Sequence, residues 1–240
     1  IGLKTDGTML TWGANANGQL GDNTTVSKSS PVQAVTFGSN WVTAAAGLNF
    51  SAAIKNDGTL WLWGANTSGQ LGDNTTVNKS SPVQAVTTGT NWLTVSCGYA
   101  DTFAIKTLGT LWGWGDNSYG QLGDVTSTNK SSPVLVSGPA TTSWSIVDAG
   151  ASHATAVTTL GRLYAWGLGT SGQLGKAEFA ARYLSDINQL YLKLAVVMPV
   201  GSGLSGIAGS ELIPVYADID GQNYGLISPS IAWIKMSGNG

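Results

Sequence analysis

Trp63-Gly64-Ala65-Asn66-Thr67-Ser68-Gly69-Gln70-Leu71-Gly72 decides how this chain is read, because the chain writes the stretch four times. The copies start at Trp12, Trp63, Trp114 and Trp166, and each closes on a Gly-Gln-Leu-Gly corner ending at Gly21, Gly72, Gly123 or Gly175. The copies stand 51, 51 and 52 residues apart. So regular a period is the mark of a repeat architecture and outranks local propensity.

Around this stretch the second copy reads as four short strands. Trp41 to Ala46 and Phe50 to Lys55 are apolar runs separated by Gly47, and Asn56-Asp57-Gly58 is a tight-turn signal. Thr59 to Trp63 forms the third strand and Pro82 to Val86 the fourth, with proline at its first residue. Four short strands in each period are the content of one propeller blade. The third strand carries Leu60 beside Trp61, and the other copies put Met9, Leu111 and Leu163 beside Leu10, Trp112 and Tyr164. Adjacent strand residues point to opposite faces. Both faces of each sheet are therefore expected to be covered, as they are when blades stack.

The glycines of the corner (Gly18 and Gly21, with their counterparts) are expected at positive φ or at close backbone approach. Asn15, Asn66 and Asn117 give way to Gly169 in the last copy. Asn and Gly best tolerate the left-handed region, so these asparagines are expected at positive φ too. A phosphate-cradling loop is excluded, because no Lys-Ser or Lys-Thr follows the glycines and the motif recurs four times.

Composition narrows the function. Only 10% of residues are charged and the formal net charge is −2, which speaks against nucleic acid, whose phosphates need clustered Lys and Arg. The Ser/Thr/Asn-rich stretches such as Asp22 to Ser30 lean toward a virion, extracellular or cell-surface protein, with the cytoplasm as the alternative. Cys97 is the single cysteine and aligns with Ala46 and Ala149, so it reads as a tucked-in thiol with no disulfide or zinc cluster. Ile1 to Gly7 aligns with Ala52 to Gly58, as if the chain opened inside a strand of a repeat, a fragment or processed form. Leu194 to Ser210 is too short and too interrupted to span a membrane. No cofactor or metal is expected.

The motif Trp-Gly-x-Asn-x-x-Gly-Gln-Leu-Gly, preceded by Asp-Gly-Thr-Leu and followed by a Pro-Val strand, resembles the regulator of chromosome condensation (RCC1-like) repeat over residues 1 to 176. The resemblance implies an all-β fold, a partial β-propeller of about three and a half four-stranded blades. The family forms seven-bladed rings, and its members include a nuclear exchange factor for a small GTPase, a secreted bacterial inhibitor of β-lactamases, and bacterial and phage surface proteins. Seven blades at this period need about 357 residues. The missing blades are expected upstream in a longer polypeptide, or several chains complete a ring, or the array is an open arc.

From Lys176 the text changes. Phe179, Tyr183, Ile187, Leu190, Tyr191 and Leu194 recur at helical spacing, and Leu212 to Ala217 with Asn223 to Ser228 flank Asp218-Ile219-Asp220-Gly221 as a hairpin, with Ile231 to Met236 a further strand. Residues 177 to 240 are thus a small α+β segment that anchors the array to a larger assembly or drives self-association. Asp218-x-Asp220-Gly221 lacks the further ligands of a calcium loop and reads as a turn.

Together these features point to a non-enzymatic structural or adhesive module of a virion (phage tail, fibre or decoration protein) or cell surface. Its partner is a protein or a surface glycan. The alternative is a soluble regulator, of the GTPase exchange-factor or secreted enzyme-inhibitor type, that binds a protein through one propeller face. The candidate partner-binding residues are Tyr99, Asp101, Tyr119 and His153. Tyr99 and Asp101 follow Gly98, Tyr119 replaces Ser68 at a turn tip, and His153, the one histidine, aligns with Phe50 and Asp101. Aromatics on turns are common interface anchors.

Overall fold

A computed structural model describes residues 1–35, 40–86, 90–138 and 143–175, together with two short strands at 217–219 and 222–224. Every regular element among them is a β-strand. The chain divides into two compact units, Ile1–Leu192 and Lys193–Gly240.

In the first unit the repeats become antiparallel sheets. The first holds β1 (Gly2–Leu3), β2 (Met9–Gly13) and β3 (Lys28–Gln33). The second runs β4 (Trp41–Ala46), β5 (Phe50–Lys55), β6 (Leu60–Gly64) and β7 (Lys79–Gln84) in chain order. The third repeats it as β8 (Trp92–Cys97), β9 (Asp101–Lys106), β10 (Leu111–Gly115) and β11 (Lys130–Leu135). The fourth has β12 (Trp144–Ala149), β13 (His153–Thr158) and β14 (Leu163–Gly167). These sheets are the expected blades.

The fourth strand begins earlier than expected. β7 starts at Lys79, and Pro82 is its fourth residue instead of its first. Leu62 pairs with Val83 and Gly64 with Lys79, so β7 holds extra residues across that step and bulges. Pro82 sits in the bulge of an edge strand, where its missing N–H breaks no ladder bond.

The stacking of blades is read directly from burial. All six residues of β5 and all six of β9 are buried. Leu60 and Leu62 pack with Leu71 on one side of the second blade, against Trp92, Ala104 and Trp114 of the third. Trp61 and Trp63 lie on its other side with Met9 of the first. The third and fourth blades repeat the contact through Phe103, Leu111 and Leu122 against Trp144, Ala154 and Trp166.

One hydrogen bond recurs at every junction. The indole N–H of Trp63 donates to the Gln19 carbonyl at 2.9 Å, that of Trp114 to Gln70 at 2.9 Å, and that of Trp166 to Gln121 at 2.7 Å. Ser51 and Thr102 donate their hydroxyls to the same Gln19 and Gln70 carbonyls. The expected positive φ is present at all eight corner glycines. Gly21, Gly72 and Gly123 also lie under those indoles, where a Cβ would meet the ring nitrogen at 2.8, 2.7 and 3.0 Å.

Lys55 and Lys106 were not singled out from sequence, and both are buried. The Lys55 ammonium lies 5.0 Å from the rings of both Trp41 and Trp61. Lys106 lies 4.7 Å from Trp92 and 4.9 Å from Trp112. A cation between two aromatic faces recovers part of its lost hydration; desolvation still lowers the Lys106 pKa. The fourth blade has Thr158 in this register, and there Trp144 and Tyr164 approach each other to 5.3 Å.

In the second unit, β15 (Ala217–Ile219) pairs antiparallel with β16 (Gln222–Tyr224). Ile219 faces Gln222, so Asp220-Gly221 are the two residues between them, an Asp-Gly hairpin spacing. Asp218 and Ile219, expected in the turn, lie in the ladder, and the rest of the expected strands, 212–216 and 225–228, lies outside the described residues. The expected helix from Phe179 to Leu194 and the strand from Ile231 to Met236 lie outside the described residues. Among the described residues no helix is long and apolar enough to cross a membrane.

The junction bond predicts a graded mutation series. Replacing Trp114 with Phe removes the donor to Gln70 and opens space over Gly72, which costs about 2–4 kcal/mol in urea unfolding. Trp12→Phe, at a half-exposed indole, should stay within about 0.5 kcal/mol of wild type.

Candidate functional site

Each third strand ends in Trp-Gly, and the loop that follows is tied by its asparagine. Asn66 is fully buried. Its Oδ1 accepts the Leu71 N–H at 2.9 Å, while its Nδ2 contacts Asp73 Oδ1 at 3.0 Å, the Thr75 carbonyl at 3.1 Å and the Val77 carbonyl at 3.2 Å. Asn15 and Asn117 do the same. This corrects the expected positive φ at these asparagines. Among the described residues, the non-glycine positions at positive φ are Asn23, Asn74 and Val125, farther along the loop. Asn is required for its amide, which both accepts and donates inside the loop. Gly169 has no side chain with which to tie its loop.

The acid partner in each knot is held ionised. Burial raises the pKa of Asp73, but the Thr75 hydroxyl, the Thr75 N–H, Asn66 and Lys79 outweigh it, and the net direction is down. Asp22 and Asp124 follow the same balance. Lys28, Lys79 and Lys130 stand 3.5, 3.4 and 3.3 Å from these carboxylates. The polar stretches that looked like bare solubilising surface are in part structural.

On this shared scaffold the third blade differs at one end. Asp116 N–H donates to the Ala100 carbonyl at 2.8 Å, which brings the β8–β9 turn against the loop after β10. Tyr99 stands on that turn and Tyr119 on that loop, 57% and 55% exposed. Asp116 accepts the Ser118 hydroxyl at 2.6 Å and the Gln121 amide at 2.7 Å, and Gln121 Oε1 accepts the Tyr119 N–H at 2.8 Å. The matching residues elsewhere are Ala14, Ala65 and Leu168 for Asp116, Leu48 and Ala151 for Tyr99, and Asn17, Ser68 and Ser171 for Tyr119. Two exposed phenols and a half-buried, oriented carboxylate thus occur together only on this blade.

Asp101 does not join them at the surface. It is wholly buried as the first residue of β9, and neither carboxyl oxygen has a hydrogen-bond partner. It occupies the position of Phe50, on the side of the sheet that the fourth blade covers, and its Oδ1 lies against Gly98 near the Gly150 carbonyl. Burial, followed by the charge of Asp116, pushes its pKa up to about 8. Asp101 is therefore a buried acid and not an exposed one. His153 is half-buried at the start of β13, its ring over Gly150. The Asp116–Ala100 bond joins the turn that bears Tyr99 to the loop that bears Tyr119, and Asp101 and His153 stand on sheet faces.

Asp116 was missed by sequence reasoning, although its replacement of Ala14 and Ala65 was visible in the repeats. Cys97 is half-buried in β8; desolvation and Asp101 drive its thiol pKa up, against a hydrogen bond from Thr102 that lowers it. It is an unreactive thiol. Among the described residues no group of three or more His, Cys, Asp or Glu side chains is placed to hold a metal ion.

With this geometry in place, comparison with known proteins is direct. The profile described as the regulator of chromosome condensation (RCC1) repeat matches residues 6–54, 57–105 and 109–157, and a second profile of the same description matches 41–70, 93–121 and 144–173. The chain belongs to the regulator of chromosome condensation repeat family. Among similar proteins, the ultraviolet-B receptor UVR8 of Arabidopsis thaliana is 31% identical over 177 residues, covering 73% of this chain and 40% of UVR8. The probable E3 ubiquitin-protein ligase HERC3 of Homo sapiens is 33% identical over 179 residues, covering 73% of this chain and 17% of HERC3. The crystal structure of Kap60 bound to yeast RCC1 (Prp20) is similar with a TM-score of 0.63 at 21% identity, over 74% of this chain and 43% of the solved one. The chain spans less than half the length of these relatives. The shared repeats establish the β-propeller-type fold of this family.

The buried acid makes a pH prediction. Asp101 keeps its proton in the folded chain up to about pH 8 but loses it near 3.8 when unfolded, so its contribution is fullest at acid pH and is lost as pH rises from about 4 to 8. Asp101→Asn should flatten that decline between pH 5 and 8 and exceed wild type by about 1–3 kcal/mol at pH 8 in urea unfolding. Parallel wild-type and variant profiles would contradict the assignment.

Proposed function

We propose that this chain is a non-enzymatic regulatory binding module that engages a protein partner through the loop end of its third blade. One observation carries the reading. In the third repeat Tyr99, Asp116 and Tyr119 stand where the second has Leu48, Ala65 and Ser68, at adjoining loops on one end of one blade. Residues that only stack blades have no reason to diverge in this way. Exposed tyrosines supply large, semi-rigid contact area, and a carboxylate already oriented by Ser118 and Gln121 loses little freedom on pairing. The fitting partner presents a basic side chain flanked by apolar ones.

The fibre or decoration role expected from composition gives way here to its regulator alternative. The similar curated chains are a receptor and ligases, which supports a protein partner over a surface glycan. Their whole-protein activities are not carried over, because the matched repeats are only a part of each.

The test compares the wild-type chain with Tyr99→Ala/Tyr119→Ala as immobilised bait in lysate of the source cell, with Asp116→Ala as a third bait. A protein held by wild type should be lost with the double variant and weakened at least tenfold with Asp116→Ala. Equal recovery on all three baits would place the binding surface elsewhere.

A further inference from the structure

The β4–β5, β8–β9 and β12–β13 turns each begin with a glycine, and the first residue of the following strand folds over it. A Cβ at Gly47, Gly98 or Gly150 would overlap Phe50, Asp101 or His153 respectively. Two of these residues are rings, and the third is a carboxyl group. At Gly98 the nearest atoms also include the carbonyl oxygen of Gly150, the matching glycine of the fourth blade. Asp101 Oδ1 and that carbonyl oxygen therefore adjoin across the junction between the third and fourth blades. Asp101 is fully buried, and neither of its oxygens accepts a hydrogen bond. A carboxylate beside a carbonyl presents lone pairs to lone pairs, whereas a carboxylic acid has an O–H to donate.

We propose that the Asp101–Gly150 contact is a proton-operated latch: the Asp101 carboxyl O–H donates to the Gly150 carbonyl and ties the β8–β9 turn to the β12–β13 turn, and ionisation of Asp101 releases them. The surroundings favour the latched form. Burial and, after it, the charge of Asp116 in the loop that follows β10 hold the Asp101 pKa up at about 8. On β8 the Cys97 thiol is itself pushed up by burial and by Asp101. Asp148 of β12 accepts the Ser96 hydroxyl at 3.2 Å, and His153 of β13 lies over Gly150 on its own blade. Once the turns part, Asp101 meets water and ionises near its ordinary 3.8, so the open form binds fewer protons than the closed one. Closure is therefore strongest in acid and weakens as pH rises to about 8, above which both forms are ionised and the loss levels off. The latch stands whatever the Tyr99 turn above it binds.

Amide hydrogen exchange of the whole chain across pH, corrected for the intrinsic rate at each pH, reads the latch. The Gly98 and Gly150 amides close the two turns on the Asp101 and His153 carbonyls, and the Gly47 and Ala65 amides make the matching bonds of the second blade to Phe50 and Asn49. In wild type the protection of Gly98 and Gly150 should fall from about pH 5 to about 8, by as much as about tenfold per unit, while Gly47 and Ala65 hold steady. Asp101→Asn keeps a donor for Gly150 and does not titrate, so its profile should stay flat at the level wild type shows in acid. Asp101→Ala has no donor, and its profile should be flat but about threefold lower or more. A wild-type profile flat at Gly98 and Gly150 would overturn the proposal even if global stability still fell with pH, because Asp101 would then tie nothing. An equal fall at Gly47 and Ala65 would overturn it too, as would an Asn variant as pH-sensitive as wild type. An Ala variant as well protected as the Asn variant in acid would show that the hydrogen bond is not made. The first two results need only the wild-type chain, so a variant that fails to fold leaves the test intact.

Discussion

The bond between the indole N–H of one blade and the glutamine carbonyl of the blade before it is the contact on which this structure depends. It explains why the residues of the repeated stretch occur together. The tryptophan must be at the end of the third strand to cross the junction, and the glutamine carbonyl must point outward to accept it. The glycine two residues later must lack a Cβ, because the indole lies on it. The glutamine side chain turns back and accepts a loop N–H, as Gln70 does from Ser68 at 2.9 Å, which leaves its carbonyl free for the neighbouring blade. A repeat that kept the tryptophan but lost the corner would leave a buried N–H unpaired, at a cost of about 1–3 kcal/mol.

The contrast between inner and outer blades shows that the sheets depend on each other. The same leucine-and-tryptophan strand is covered on both sides in β6 and β10, on one side in β2 and on one side in β14. An isolated blade would expose one large apolar row whichever way it turned. Stability in such a stack is a sum over blades and junctions, each blade touching only its neighbours.

Most of the fold was legible because it follows from period and alternation. Leu60 beside Trp61 demanded two covered faces, and the Asp57-Gly58 turn placed the second hairpin. The asparagine knot was not legible from the same signs. Tolerance of positive φ is a property of one residue type taken alone, whereas Asn66 is used for the acceptors and donors it finds at Leu71, Asp73 and Thr75. Lys55 and Lys106 were hidden because a charge in a strand reads as solvated. The signal was their recurrence with two tryptophans, Trp41 and Trp61 or Trp92 and Trp112, where the copy with Thr158 keeps Trp144 but has Tyr164. Asp101 was misplaced for a different reason. A residue in register with Phe50 shares its sheet face, and a face that must be covered in the second blade is covered in the third as well.

That buried acid bears on how a repeat protein can specialise. Asp101 replaces an aromatic that packs into the junction and leaves two oxygens without partners, a change that would threaten a domain with a single core. Here the same junction still holds Phe103, Leu111 and Leu122 against Trp144 and Trp166, and the neighbouring junctions are untouched. The loss is local and the stack absorbs it. The Tyr99–Asp116–Tyr119 end of the third blade is a second departure from the repeat, and Asp116 raises the Asp101 pKa across the short distance between them. The two departures are therefore coupled electrostatically, the Asp116 charge adding to the burial that disfavours an ionised Asp101.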